Sequence, residues 1–82
     1  MNNSFYNDFA ARFAAGTLTS LVESFNNQVG KRGFNSARAA YDQALIDELV
    51  RRGIDVSAVF DGTTISFAHY VELDNNILVI KK

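Results

Sequence analysis

The chain has no cysteine. That excludes a disulfide framework, a thiolate metal site and a cysteine nucleophile, and it fits a reducing compartment. Nor is there an excess of either charge. Eight basic residues stand against nine acidic ones, for a formal net charge of −1. This balance describes neither a polybasic phosphate binder nor an acidic mimic of nucleic acid. No apolar run approaches the roughly 20 residues needed to span a bilayer. The first residues carry no basic n-region, and Asp8 and Arg12 interrupt any apolar h-region, so no signal peptide is expected. The expectation is a soluble, cytoplasmic protein without membrane contact.

What is present is apolar: 48% hydrophobic residues, with seven Phe and three Tyr. This argues against disorder. A length of 82 residues allows one domain, covering positions 1–82. Such a chain buries only about 60–65% of the surface its unfolded form exposes, so its core is small.

The period of the apolar pattern divides the chain into a helical part, 3–53, and a strand part, 55–82. Phe5, Phe9 and Phe13 recur every four residues beside Tyr6, Ala10 and Ala14, which is one face of an amphipathic helix. Asn3 or Ser4 can cap it. Leu18, Leu21, Val22, Phe25 and Val29 again have helical spacing, but their face is rotated by about 100° from the first. Gly16 between the two stripes predicts two short helices rather than one straight one, with Thr17 capping the second. Asn35 or Ser36 caps a third helix, onto which Phe34 can staple. Ala37, Tyr41, Ala44, Leu45 and Leu49 form its inward face, and Arg38, Asp42, Asp47 and Arg51 lie largely outward. Arg51 and Arg52 suit the negative end of the helix dipole. Gly53 suits a left-handed position, with Ile54 folding back on Leu49 in a Schellman ending.

Beyond Gly53 the period becomes two. Asp61-Gly62 and Asp74-Asn75-Asn76 are turn signals. Thr63, Ile65, Phe67, His69, Val71 and Leu73 share one face of a strand. Thr64, Ser66, Ala68, Tyr70 and Glu72 share the other. The predicted fold is α+β: two or three N-terminal helices packed on one face of a C-terminal three-stranded antiparallel β-meander.

The chemistry-bearing residues are sparse. His69 is the single histidine, and it is expected to pack mid-strand on the apolar face with Phe67 and Val71. A zinc site wants three or four ligands, and here one histidine stands without cysteine, so no metal is expected. Ser66 and Glu72 point away from His69 under strict alternation, so no nucleophile–base set forms. Asp42 and Asp47 lie on a helix exterior, and Asp55, Asp61 and Asp74 sit at turns where they satisfy backbone donors. No catalytic pair, cofactor or small-molecule substrate is evident.

Two surfaces remain. Phe5, Phe9 and Phe13, together with Tyr70 on the outward strand face, form a candidate partner-binding set, because a small domain does not readily bury two divergent helical stripes. Lys31, Arg32, Arg38, Arg51 and Arg52 form a candidate nucleic-acid-binding set. The third helix spans about 25 Å, so these basic residues fall into at least two clusters at its ends. Gly30-Lys31-Arg32-Gly33 is not a phosphate-binding loop, as no strand precedes it and the GK[ST] signature is absent. The functional expectation is a non-enzymatic interaction module that binds a protein partner or itself. The alternative is a nucleic-acid-binding accessory protein. A small enzyme centred on His69 is a third reading, and it requires polar groups converging on that ring.

Overall fold

The computed structural model describes residues 4–31 and 35–81. Three helices precede a two-stranded antiparallel sheet: α1 Ser4–Ala15, α2 Leu18–Asn26, α3 Ser36–Arg51, β1 Val71–Asp74 and β2 Ile77–Ile80. The class is α+β, and two expected strands are absent or shortened.

The helix boundaries follow local chemistry. α1 ends at Ala15, ahead of Gly16, and Thr17 in extended conformation caps α2 by accepting from Ser20 N–H at 3.1 Å. Asn35 caps α3 in the same way, accepting from Arg38 N–H at 2.8 Å. The third helix closes as its sequence predicts. Gly53 takes φ +82°, Gly53 N–H donates to Val50 O at 2.9 Å, and Ile54 N–H donates to Leu49 O at 3.0 Å. That is the Schellman pair of bonds, and it turns Ile54 into the core. The Phe34 staple lies outside the described residues.

α3 is the central element. Ala44, Leu45, Ile46 and Leu49 are buried, and so are Asp42 and Glu48. The expected inward face is therefore too narrow, and Asp42 is not outward. α1 packs across one side, where the Phe9 and Phe13 rings meet Tyr41 edge-on at 5.0 and 5.1 Å. The 63–67 segment covers another side, with Phe67 beneath the Arg38 guanidinium. A helix covered on two sides buries positions that a single stripe assigns to solvent. Phe25 in α2 is fully buried and stacks at a tilt on Phe67, ring centroids 4.6 Å apart.

The hairpin forms at the second turn signal. Asn75 and Asn76 both have positive φ, 56° and 65°, and the register runs from Asp74↔Ile77 to Val71↔Ile80. Two consecutive left-handed residues make a turn whose twist matches the strands. Positions 55–70 form neither the first expected strand nor the first part of the second. Val56–Val59 is a turn, and the Asp61-Gly62 signal closes one antiparallel bridge, Phe60↔Ile65. Asp55 bridges Ile77 in parallel, on the side of β2 away from β1. The chain leaving α3 thus reaches β2 first, not β1 as a meander requires. The facing pattern persists in part, since Thr63 and His69, expected on the inward face, are exposed. Ile65, Phe67, Val71 and Leu73 point inward, while Thr64, Ser66, Ala68, Tyr70 and Glu72 are exposed. Alternation reports which side chains face the core, and a ladder also needs a free edge. The outer edge of β1 is closed at Val71 by Asn26, whose amide donates to Val71 O at 3.0 Å and accepts from Val71 N–H at 2.8 Å.

Candidate functional site

The two buried carboxylates of α3 have opposite surroundings. Glu48 receives two guanidinium groups. Arg51 reaches it through Nε at 2.9 Å and Nη2 at 2.5 Å, and Arg52 Nε reaches it at 2.6 Å. The Arg51 hydrogen bonds, aided by those of Arg52, pull its pKa from 4.5 down to about 2 against the opposing effect of burial. Arg52 carries on beyond Glu48. Its Nη2 donates to the carbonyls of Phe13 at 2.9 Å, Ala14 at 3.3 Å and Gly16 at 2.7 Å. These carbonyls lie at and just beyond the C-terminus of α1, where Phe13 O also accepts from Gly16 N–H at 3.1 Å, so Arg52 fastens the end of α1 to the end of α3.

Asp42 has no such company. Its residue is 5% exposed, and Oδ1 has no hydrogen-bond partner among the described residues. Arg38 Nε lies 3.6 Å from Oδ2, close enough for an ion pair and too far for a hydrogen bond. Burial raises the pKa of Asp42, and the Arg38 charge offsets part of that. Arg38 is held elsewhere: it donates to Gln28 O at 3.3 Å and Lys31 O at 3.4 Å, and its guanidinium lies 5.9 Å from the Phe67 ring centre. Asp42 and Arg38 line a groove of about 400 Å3, whose other walls are Ala39, Gln43, Thr63, Thr64, Ile65 and Phe67.

These opposite environments predict opposite responses to acid. Glu48 has a depressed folded-state pKa, so its contribution is present above pH 4.5 and is lost as pH falls towards 2. Asp42 has a raised pKa, so its ionisation costs stability at neutral pH, and protonation relieves that cost. Urea unfolding followed from pH 6 to pH 2 should therefore show a smaller acid loss in Glu48→Gln than in the wild type. Asp42→Asn should show a steeper relative loss, having no compensating protonation. Equal slopes in all three proteins would contradict these assignments.

The expected site residues divide. Phe13 is buried, Phe9 is half-buried against Tyr41, and Phe5 is 54% exposed. The stripe thus runs from core to solvent along α1. Tyr6 donates to Asp47 Oδ2 at 2.5 Å, a bond that raises the phenol pKa, and Val50, one turn beyond Asp47, is 52% exposed. On the outer face of the hairpin, Tyr70 is 56% and Ile77 45% exposed.

The basic set does not gather. Arg38 and Arg52 are engaged internally, and Arg51 is paired with Glu48 although its side chain is 65% exposed. Lys31 is exposed, and Arg32 lies outside the described residues. His69 corrects the expectation placed on it. It sits in a bend before β1, exposed, and among the described residues its side chain has no hydrogen bond or ion pair. The strand that was to carry it inward breaks at Ala68. Among the described residues no set of three His, Cys, Asp or Glu is placed to hold a metal ion, and no helix is long and apolar enough to cross a membrane. Asp55 and Asp61 fill local roles. The Ser57 side chain and N–H lower the pKa of Asp55, and the N–H groups of Thr64 and Thr63 lower that of Asp61.

No known protein family, no curated protein and no solved structure matches the chain.

Proposed function

We propose that this protein is a small non-enzymatic interaction module that binds a protein partner or associates with itself. The observation that supports it is the set of large apolar side chains left in solvent by a domain that has finished its core. Phe5 adjoins Tyr6 in α1 and Val50 lies one turn beyond Asp47 in α3, the two residues joined by the Tyr6–Asp47 bond, and Tyr70 and Ile77 are exposed on the hairpin. Scattered exposed apolar residues need no explanation, whereas a contiguous apolar patch marks a contact surface. A cytoplasmic setting belongs to the same proposal, and the cysteine-free composition suits it. The nucleic-acid alternative has less to rest on, because Arg38, Arg51 and Arg52 each spend donors inside the domain.

Affinity capture from native lysate, with protein and nucleic acid both identified, tests the proposal. It is run with the wild type, with Phe5→Ser/Val50→Ser and with Tyr70→Ser/Ile77→Ser, alongside light scattering of each. The expected result is a protein, or the dimer itself, retained by the wild type and lost from one double variant. A strict monomer that yields the same capture in all three would overturn it, and nucleic acid in the eluate would favour the alternative.

A further inference from the structure

We infer that the outer edge of β1 at Leu73 binds an extended segment of a partner protein, one carrying a lysine or arginine, which joins the hairpin as a further strand. The inference rests on the reading of this protein as a partner-binding module and gives that module a mode of binding. The register decides which backbone groups point outward. Lys81 N–H donates to Tyr70 O at 2.8 Å, so the hydrogen-bonded positions of this antiparallel pair on the β1 side are Tyr70, Glu72 and Asp74. The N–H and C=O of Val71 and Leu73 therefore project from the edge away from β2. Val71 fixes the direction, since both of its groups are met there by the Asn26 carboxamide, at 2.8 and 3.0 Å. A carboxamide presents the same donor and acceptor as a peptide group, and this one occupies only the Val71 position. Two residues on, the N–H and C=O of Leu73 have no hydrogen-bond partner among the described residues.

There is room beside this edge. A groove of about 300 Å3 runs between α2 and β1, and Asn26, Val71, Glu72 and Leu73 are all among its walls, so it lies along the edge that Asn26 occupies in part. Leu73 is half-buried, not enclosed. Space beside an unpaired donor and acceptor suits a ligand that brings one of each at strand spacing, as an extended main chain does. The opposite edge of the hairpin is not equivalent, because Asp55 O already accepts from Leu78 N–H at 2.8 Å and Leu78 is fully buried. The walls also select the side chain. Two carboxylates, Glu23 and Glu72, stand in the groove against one ammonium, Lys81, so a basic residue on the arriving segment is favoured over an acidic one. Val22 supplies apolar wall for the methylenes of that residue. The edge is distinct from the exposed apolar residues and does not depend on them.

The test is an amide chemical-shift and hydrogen-exchange titration of the full chain with blocked pentapeptides. The probes are Thr-Val-Lys-Val-Thr, its glutamate counterpart Thr-Val-Glu-Val-Thr, and the lysine peptide N-methylated at every residue. The expected result with the lysine peptide is saturable shifts confined to α2, β1 and Lys81, with exchange of the Leu73 N–H slowed at least about fivefold at saturation. The N-methylated peptide keeps the charge and side chains but has no backbone donor, and should bind at least about fivefold more weakly. The glutamate peptide should bind about threefold more weakly than the lysine one, and Glu23→Lys/Glu72→Lys should reverse that order. Leu73→Pro removes the outward N–H without touching the bonds to β2, and should abolish the response. Should that variant not fold, the N-methylated peptide on the wild type decides alone. Absence of saturable shifts, equal binding of the N-methylated peptide, or shifts centred on Ile80 or on Phe5 and Val50 would overturn the inference. So would slowing of Leu73 exchange by raised protein concentration alone, which places a second copy on the edge. A partner lost only from the Phe5/Val50 or Tyr70/Ile77 double variant, with no peptide bound at Leu73, overturns this inference and leaves the module reading standing.

Discussion

Phe25→Ala is expected to cost about 3–5 kcal/mol of folding stability, the range for deleting a fully buried aromatic ring. A domain of this length has about 4–12 kcal/mol in total. The loss is therefore at least about a quarter of the total. The reason for so large an effect is position. Phe25 is fully buried on the last turn of α2, and its ring stacks on Phe67, which in turn lies under Arg38 on α3. One truncation thus opens a void where α2, α3 and the irregular 63–67 segment meet. Within that segment the backbone is held by one bridge and a few turn bonds, and its contact with α2 and α3 is through side chains. Urea unfolding followed by circular dichroism measures the loss. A loss below about 1.5 kcal/mol, the size of a tolerated volume-conserving swap, would show that the layers do not meet at this ring.

Arg52→Ala is expected to cost about 2–4 kcal/mol, because it removes a partner of the buried Glu48 and takes a donor from the carbonyls of Ala14 and Gly16, while Phe13 O keeps Gly16 N–H. Three carbonyls at the end of α1 lose their shared donor, and Glu48, 6% exposed, keeps Arg51 alone. Arg52→Lys should recover little of this. A single ammonium cannot present Nε to Glu48 while a second nitrogen meets the carbonyls of Phe13 and Gly16. Arg51→Ala should cost much less, since the Arg51 side chain is mostly solvated. The three variants compared by thermal and urea unfolding separate a clamp between helix ends from a simple ion pair. If Arg52→Lys matched the wild type, charge rather than geometry would be the active feature.

Arg52 also shows where sequence reasoning falls short of a site. Its place in the last turn of a helix marks it as a cation suited to the helix dipole, and that reading is correct for the dipole it belongs to. The dipole it serves most directly is that of α1, some 36 residues earlier in the chain. Nothing local announces this. Asn26 is a similar case. It ends α2, yet its amide behaves as a strand partner for Val71. The elements whose signals are local were legible: the break at Gly16 with its Thr17 cap, the Asn35 cap, the Gly53–Ile54 ending and the Asn75-Asn76 turn. The three-stranded meander was not, because alternation from 63 to 73 gives the side each residue faces and no information on whether an edge is free to pair with it. Asp42 is a different case. It stands at i−3 from Leu45 and i−7 from Leu49, on their own stripe, so its burial was legible in the helical period and was missed because its charge argued for solvent.

The amino-acid order by itself settled what depends on neighbours a few residues apart: three helices, the caps of the second and third, a two-residue hairpin turn, and a composition without thiols or a dominant charge. Tertiary structure alone decided which helix became central, which strand edges were closed, and that Arg52 and Asn26 would reach partners about 36 and 45 residues away. The physical difference is range. Caps, turns and the Glu48 ion pairs are satisfied within about one helical turn, whereas the packing of elements and the bonds between them are set by whatever segment folds over a residue, however distant in the chain.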